Sequence, residues 1–134
     1  MADRIEIDQA AIRAMGLPGS ETHRHMMRLG HEVEVVAKTL VKVDTGHLRD
    51  RLHTEAVVHR GVAGARVGDN SPVAHWTHEG TGLWGPSGAP ITPRRAPRLV
   101  FFWKKRGHWM RVKSVRGQPG AHYLTRALRA VFRA

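Results

Sequence analysis

Cysteine is absent from this sequence, which excludes disulfides and thiolate metal centres. No apolar run approaches the ~20 residues that a membrane-crossing helix needs, so no membrane partner is expected. The opening Met1-Ala2-Asp3-Arg4-Ile5-Glu6 lacks the basic-then-apolar order of a secretory signal, and synthesis in the cytoplasm is the expectation. Acid is missing from everything after Glu79. Residues 80–134 carry 12 Lys and Arg with no Asp or Glu, whereas residues 1–79 carry 10 Lys and Arg against all 11 acids. The net charge of +11 is therefore a near-neutral half joined to a half of +12. A one-sign surface of that strength attracts polyanions or an acidic protein surface.

At 134 residues and 41% hydrophobic content the chain reads as one domain, 1–134, able to bury a modest core. Residues 1–19 form a polar lead. Ile5 and Ile7 alternate like a strand, residues 9–15 suit a helical turn, and Gly16-Leu17-Pro18-Gly19 breaks the chain. Ser20 is placed as an N-cap ahead of Glu21. From there Met26, Leu29, Val33, Val36 and Leu40 recur at steps of three and four, the period of one apolar helix face. This predicts a long helix over residues 21–42 with a core-facing stripe.

Val43-Asp44-Thr45-Gly46-His47-Leu48-Arg49 follows it. Asp44 or Thr45 can cap a short second helix over residues 44–52, with Gly46 permitting the bend. Residues 54–59 are rich in β-branched side chains, 61–64 in turn glycines, and 65–67 continue extended, which together predict a hairpin. Residues 73–79 suit one or two helical turns. A long Gly/Pro-rich loop or arm over 80–98 comes next, of a length usually reserved for functional or mobile segments. Leu99-Val100-Phe101-Phe102-Trp103 reads as a buried strand, paired across the basic turn at 104–107 with a strand over 109–115. Residues 123–132 close the chain as a helix with Leu124, Ala127, Leu128 and Val131 on one face. Two principal helices on one face of a small antiparallel sheet give an α+β fold.

Several patterns invite chemistry. Asp44-Thr45-Gly46 matches an aspartic-protease triplet, but such enzymes need two aspartates sharing a proton across a dimer axis and a triplet that follows a strand. Here it follows helical period. His75, His78 and Glu79 have the residue types of a metal site without its spacing, in a chain with ten histidines. The glycines at 61, 64 and 68 lack the Gly-Lys-Ser/Thr of a phosphate loop. No Ser/His/Asp set is readable. The reading is no enzyme, no cofactor and no metal. Basic residues of 94–116 interleave with Phe101, Phe102, Trp103 and Trp109, which suits nonspecific contact with nucleic acid, although core packing explains most of those aromatics.

Three stretches in order carry a resemblance. The first is the Asp-Thr-Gly-His-Leu-Arg run at 44–49 after a long helix. The second is Ala74-His75-Trp76-Thr77-His78-Glu79-Gly80-Thr81-Gly82 after a hairpin. The third is Gly117-Gln118-Pro119-Gly120-Ala121-His122-Tyr123-Leu124-Thr125-Arg126-Ala127-Leu128. Over residues 20–132 this resembles the small neck proteins of long-tailed bacteriophages, the tail-completion, minor tail or head–tail connector proteins. Val73 stands where that family usually has Tyr, and Tyr123 where it has Phe. The resemblance implies a structural virion protein of the tail and neck. It implies a homo-oligomeric ring, of six copies, that finishes the tail tube and joins it to the DNA-filled capsid. Partners would be adjacent neck and tail-tube proteins and passing phage DNA. On that reading Leu83, Trp84 and Pro86 are expected to contact a subunit or partner. Arg94, Arg95, Lys104, Lys105 and Arg106 form a basic surface for DNA or an acidic partner, and Asp44, Thr45 and Gly46 serve as a helix cap. The alternative is a nonspecific nucleic-acid-binding basic protein.

Overall fold

A computed structural model describes residues 6–43 and 46–133 of the chain. The order of elements is α1 (Gln9–Met15), α2 (Glu21–Leu40), α3 (His47–Arg51), β1 (His53–His59), β2 (Val62–Gly68), α4 (Pro72–Glu79), a 3-10 turn (Gly82–Trp84), β3 (Leu99–Trp103), β4 (His108–Val112) and α5 (Tyr123–Phe132). The fold is α+β. The two hairpins form two separate two-stranded sheets, β1–β2 and β3–β4. The chain divides into two compact units, one of residues 1–69 with 124–134 and the other of residues 70–123.

In the first unit Ser20 caps α2 as its sequence position implies, its hydroxyl accepting from the His23 amide at 3.1 Å. The helix stops at Leu40, two residues short of the expected end, because Val41 is extended (φ −70°, ψ 135°). Its deepest positions are Gly30, Val33 and Ala37, with Val41 buried just beyond. Met26 stands one turn before Gly30 on the same line and is exposed. The stripe is displaced because Gly30, with no side chain, lets the helix lie close on the hairpin. A Cβ there would stand 2.8 Å from the Thr54 methyl and 3.0 Å from Ala65 Cβ. Beside this contact Glu34 accepts from Lys38 Nζ at 2.6 Å and from the Thr54 hydroxyl at 2.7 Å. The Lys38 bond, then the Thr54 bond, hold its carboxyl below the usual range against the opposing effect of burial.

The hairpin turns at Arg60 and Gly61, both with positive φ (50° and 78°), the two-residue turn whose twist matches that of the strands. Gly64 therefore lies within β2, paired with Val57, not in the turn. Helix α3 follows Gly46, whose φ of 86° is left-handed and costs glycine little. It delivers Leu52 into the core, where it is fully buried. Asp44, Thr45 and Ile5 lie outside the described residues, so of the three cap residues only Gly46 is placed. Ile7 sits in no strand.

In the second unit Ser71 caps α4, its hydroxyl accepting from the Ala74 amide at 3.3 Å, with Pro72 in the first turn, where proline loses no helix bond. Tyr123 and Ala74 are its two buried apolar side chains among the described residues. The Tyr123 hydroxyl donates to the Ala74 carbonyl at 3.3 Å.

Candidate functional site

The residues expected to make contacts all fall in the second unit. It carries nine Lys and Arg against one acid, Glu79, a net of +8. The unit is assembled around a crossing of two backbone segments distant in sequence, residues 79–83 and 116–120. The Thr81 amide donates to the Gln118 carbonyl at 2.9 Å and the Leu83 amide to the Arg116 carbonyl at 2.8 Å. In return the Gln118 amide donates to the Thr81 hydroxyl at 3.0 Å. Further along, the Ala121 and His122 amides donate to the Thr77 and His78 carbonyls at 2.9 and 3.0 Å.

Glycine makes the crossing possible. Gly117 (φ 90°) lies against the Thr81 carbonyl, and Gly82 (φ 64°) against the Arg116 carbonyl, at distances no Cβ could occupy. A Cβ on Gly80 would stand 2.7 Å from the Gly120 amide nitrogen. The second and third sequence motifs are thus two sides of one backbone junction. The remainder of the 80–98 loop is tied down a second time, by paired Ile91 and Val115 (2.8 and 3.0 Å).

This junction presents Leu83 and Trp84 in the 3-10 turn, both more than 40% exposed, followed by exposed Pro86. Arg94 and Arg95 are exposed in the loop ahead of β3. Lys104, Lys105 and Arg106 lie together at the β3–β4 turn, and the Arg106 guanidinium sits 4.8 Å above the Trp103 ring. Such a stack holds the cation at the surface rather than neutralising it.

Sequence reasoning placed β3 inside. It is not buried: Val100, Phe102 and Trp103 are exposed. Phe102 pairs with Trp109 and Val100 with Arg111, so these four share one outward face. The Phe102 and Trp109 rings meet edge to face at 5.7 Å, and Trp109 is 69% exposed. The opposite face, with Phe101, Met110 and Val112, borders an open hollow of about 710 Å³ shared with Val115 and Pro119. An uninterrupted apolar run cannot reveal which face is covered, and two strands leave two faces to cover. The exposed apolar surface is accordingly wider than Leu83, Trp84 and Pro86: it includes the aromatic face of β3–β4, and Val73 and Trp76 one turn apart on α4.

Trp76 is 54% exposed, and it is its neighbour His78 that packs. Its ring meets those of His122 and Tyr123 at 5.4 and 5.3 Å. Burial, opposed by nearby Glu79 and reinforced by His122 and His75, pushes its imidazole below the ordinary 6.5. The folded unit thus prefers neutral His78, whereas the unfolded chain takes up the proton near 6.5. Stability from this group is complete above that value and falls as pH drops towards and through the lower folded value. The His78 imidazole should titrate below 6.5 by NMR. The unfolding midpoint of the His78→Gln variant should lose less on going from pH 7 to pH 5 than that of the unsubstituted chain.

His75, His78 and Glu79 do not assemble a metal site: no cluster of three such ligands occurs among the described residues. What the site offers is adhesive: exposed aromatic and aliphatic groups on a backbone junction, bordered by nine cations and a single acid, Glu79. No family model, curated protein or solved structure matches the chain.

Proposed function

We propose that this chain is a ring-forming subunit in the neck of a tailed bacteriophage, completing the tail and joining it to the DNA-filled capsid as a ring of six copies. The observation that carries the reading is an apolar surplus. Among the described residues only eight apolar side chains are buried, four of them alanine, whereas twenty large ones are exposed. A chain that stays monomeric in water rarely exposes large contiguous apolar patches, and here exposed Phe102 and Trp109 are cross-strand partners, as Leu83 and Trp84 are chain neighbours. An assembly subunit completes its core against its neighbours. The order of the three motifs supports the neck in particular, and the glycine crossing gives a physical reason why the second and third occur together.

The basic loop and hairpin then face an acidic neighbouring surface or the DNA in transit, and Leu83, Trp84 and Pro86 insert into a partner. Negative-stain microscopy of the purified protein at rising concentration should show closed rings. Trp84→Ala should lower their yield at least severalfold while leaving the urea midpoint of the monomer unchanged. A protein that remains monomeric throughout and binds duplex DNA with a steep salt dependence would instead support the second reading, a nonspecific nucleic-acid-binding protein.

A further inference from the structure

The first unit contains an apolar helix that nothing covers and an apolar groove that nothing fills. Helix α1 buries none of its residues. Ile12 and Met15 share one of its faces, and together with Ile7 and Leu17 they are more than half exposed. Its end is held in place: the Ala63 amide donates to the Gly16 carbonyl at 2.8 Å, and the Ser20 hydroxyl to the Met15 carbonyl at 2.8 Å. The groove, about 280 Å³, runs between α2, β2 and α5 and is lined chiefly by Met26, Leu29, Val33, Val67, Leu128 and Phe132. None of its lining comes from the chain's own α1. That volume is nearly double the ~150 Å³ apolar cavity that accepts a benzene, enough for two aliphatic side chains.

Charge indicates the occupant. Helix α5 carries exposed Arg126 and Arg129, with Arg133 just beyond, and no acid. These three recur at helical spacing beside Leu128 and Phe132. The lead into α1 carries exposed Glu6 and Asp8. Asp8 spends one oxygen on the Ala10 and Ala11 amides, which leaves the other free to face a cation.

We propose that the groove of one copy receives α1 of the next, Ile12 and Met15 entering between α2 and α5 while Glu6 and Asp8 meet the arginines of α5. Donor and acceptor are different patches of the same chain, which lets the contact run head-to-tail and propagate around a ring. The proposal deepens the ring reading and rests on it for closure.

The absence of cysteine permits a direct test. Ile12→Cys protein and Leu128→Cys protein are mixed in equal amounts and oxidised with diamide. The mixture should give a covalent heterodimer on a non-reducing gel, at several times the yield of Leu128→Cys mixed with a Val58→Cys control. A chain carrying both substitutions should give a ladder of oligomers. Glu6→Lys should cut the cross-link yield severalfold, and Arg129→Glu in the partner should restore it. Equal yields from the control pair, or a double variant that links only within itself, would overturn the proposal. Hydrogen exchange on the unsubstituted chain covers the case where a variant fails to fold: amides of α1 should gain protection with rising concentration, and constant protection counts against the contact. Cross-linking without closed rings would defeat the neck reading alone, and rings without cross-linking would defeat this contact alone.

Discussion

Replacing Gly117 with alanine should destabilise the second unit by more than about 3 kcal/mol. Two penalties combine. A left-handed backbone costs a non-glycine residue about 1–2 kcal/mol, and the new Cβ would also be driven into the Thr81 carbonyl and stand 2.8 Å from the Gly82 amide nitrogen. Both obstacles are backbone, so no rotamer change relieves them. Separating the segments would break the Thr81–Gln118 and Leu83–Arg116 bonds, each worth about 1 kcal/mol. Gly88→Ala supplies the comparison: its φ is 60°, yet nothing lies within 4 Å of a Cβ there, so only the backbone penalty applies. Urea unfolding of the two variants separates strain from collision. Equal losses would show that the crossing is not rigid.

Tyr123→Ala should cost about 3–5 kcal/mol, the range for removing a large buried aromatic ring. The side chain is fully buried and is one of two apolar groups that the second unit buries. It also forms one wall of the His78 site, 5.3 Å ring to ring. Tyr123→Phe should cost only about 0.5–1.5 kcal/mol, the range for a neutral hydrogen bond, since the hydroxyl's bond to the Ala74 carbonyl is already long at 3.3 Å. The two variants, compared by urea unfolding, show whether the tyrosine acts through its ring or its hydroxyl. A loss from Tyr123→Phe as large as that from Tyr123→Ala would assign the role to the hydroxyl.

Elements fixed by local chemistry were legible in the sequence. Ser20 caps the helix that follows it, α1 and α5 have the expected bounds, and α2 differs only at its end. Positions fixed by a distant segment were not. Gly80, Gly82, Gly117 and Gly120 read as loop composition, because their tightness comes from a strand of chain more than thirty residues away. Gly30 carries no apolar side chain to mark it, yet it is the point where α2 meets the hairpin. The aromatic strand read as core because a continuous apolar run states affinity for burial without stating what provides it. At the candidate site the basic residues and Trp84 were named from sequence and lie exposed, and the outward face of Phe102 and Trp109 emerged only with the register.

The chain leaves its first unit after Asp69 and returns at Leu124. The 54 residues between form a closed loop whenever α5 joins α2 and β2 in lining the groove. Closing a floppy loop of that length costs roughly 3–4 kcal/mol of chain entropy, and an ordered second unit removes much of that cost in advance. The two units are therefore coupled through connectivity. A lesion at the glycine crossing would be felt as a loosened C-terminal helix, and with it a weakened arginine-bordered groove, without any change in a residue of the first unit.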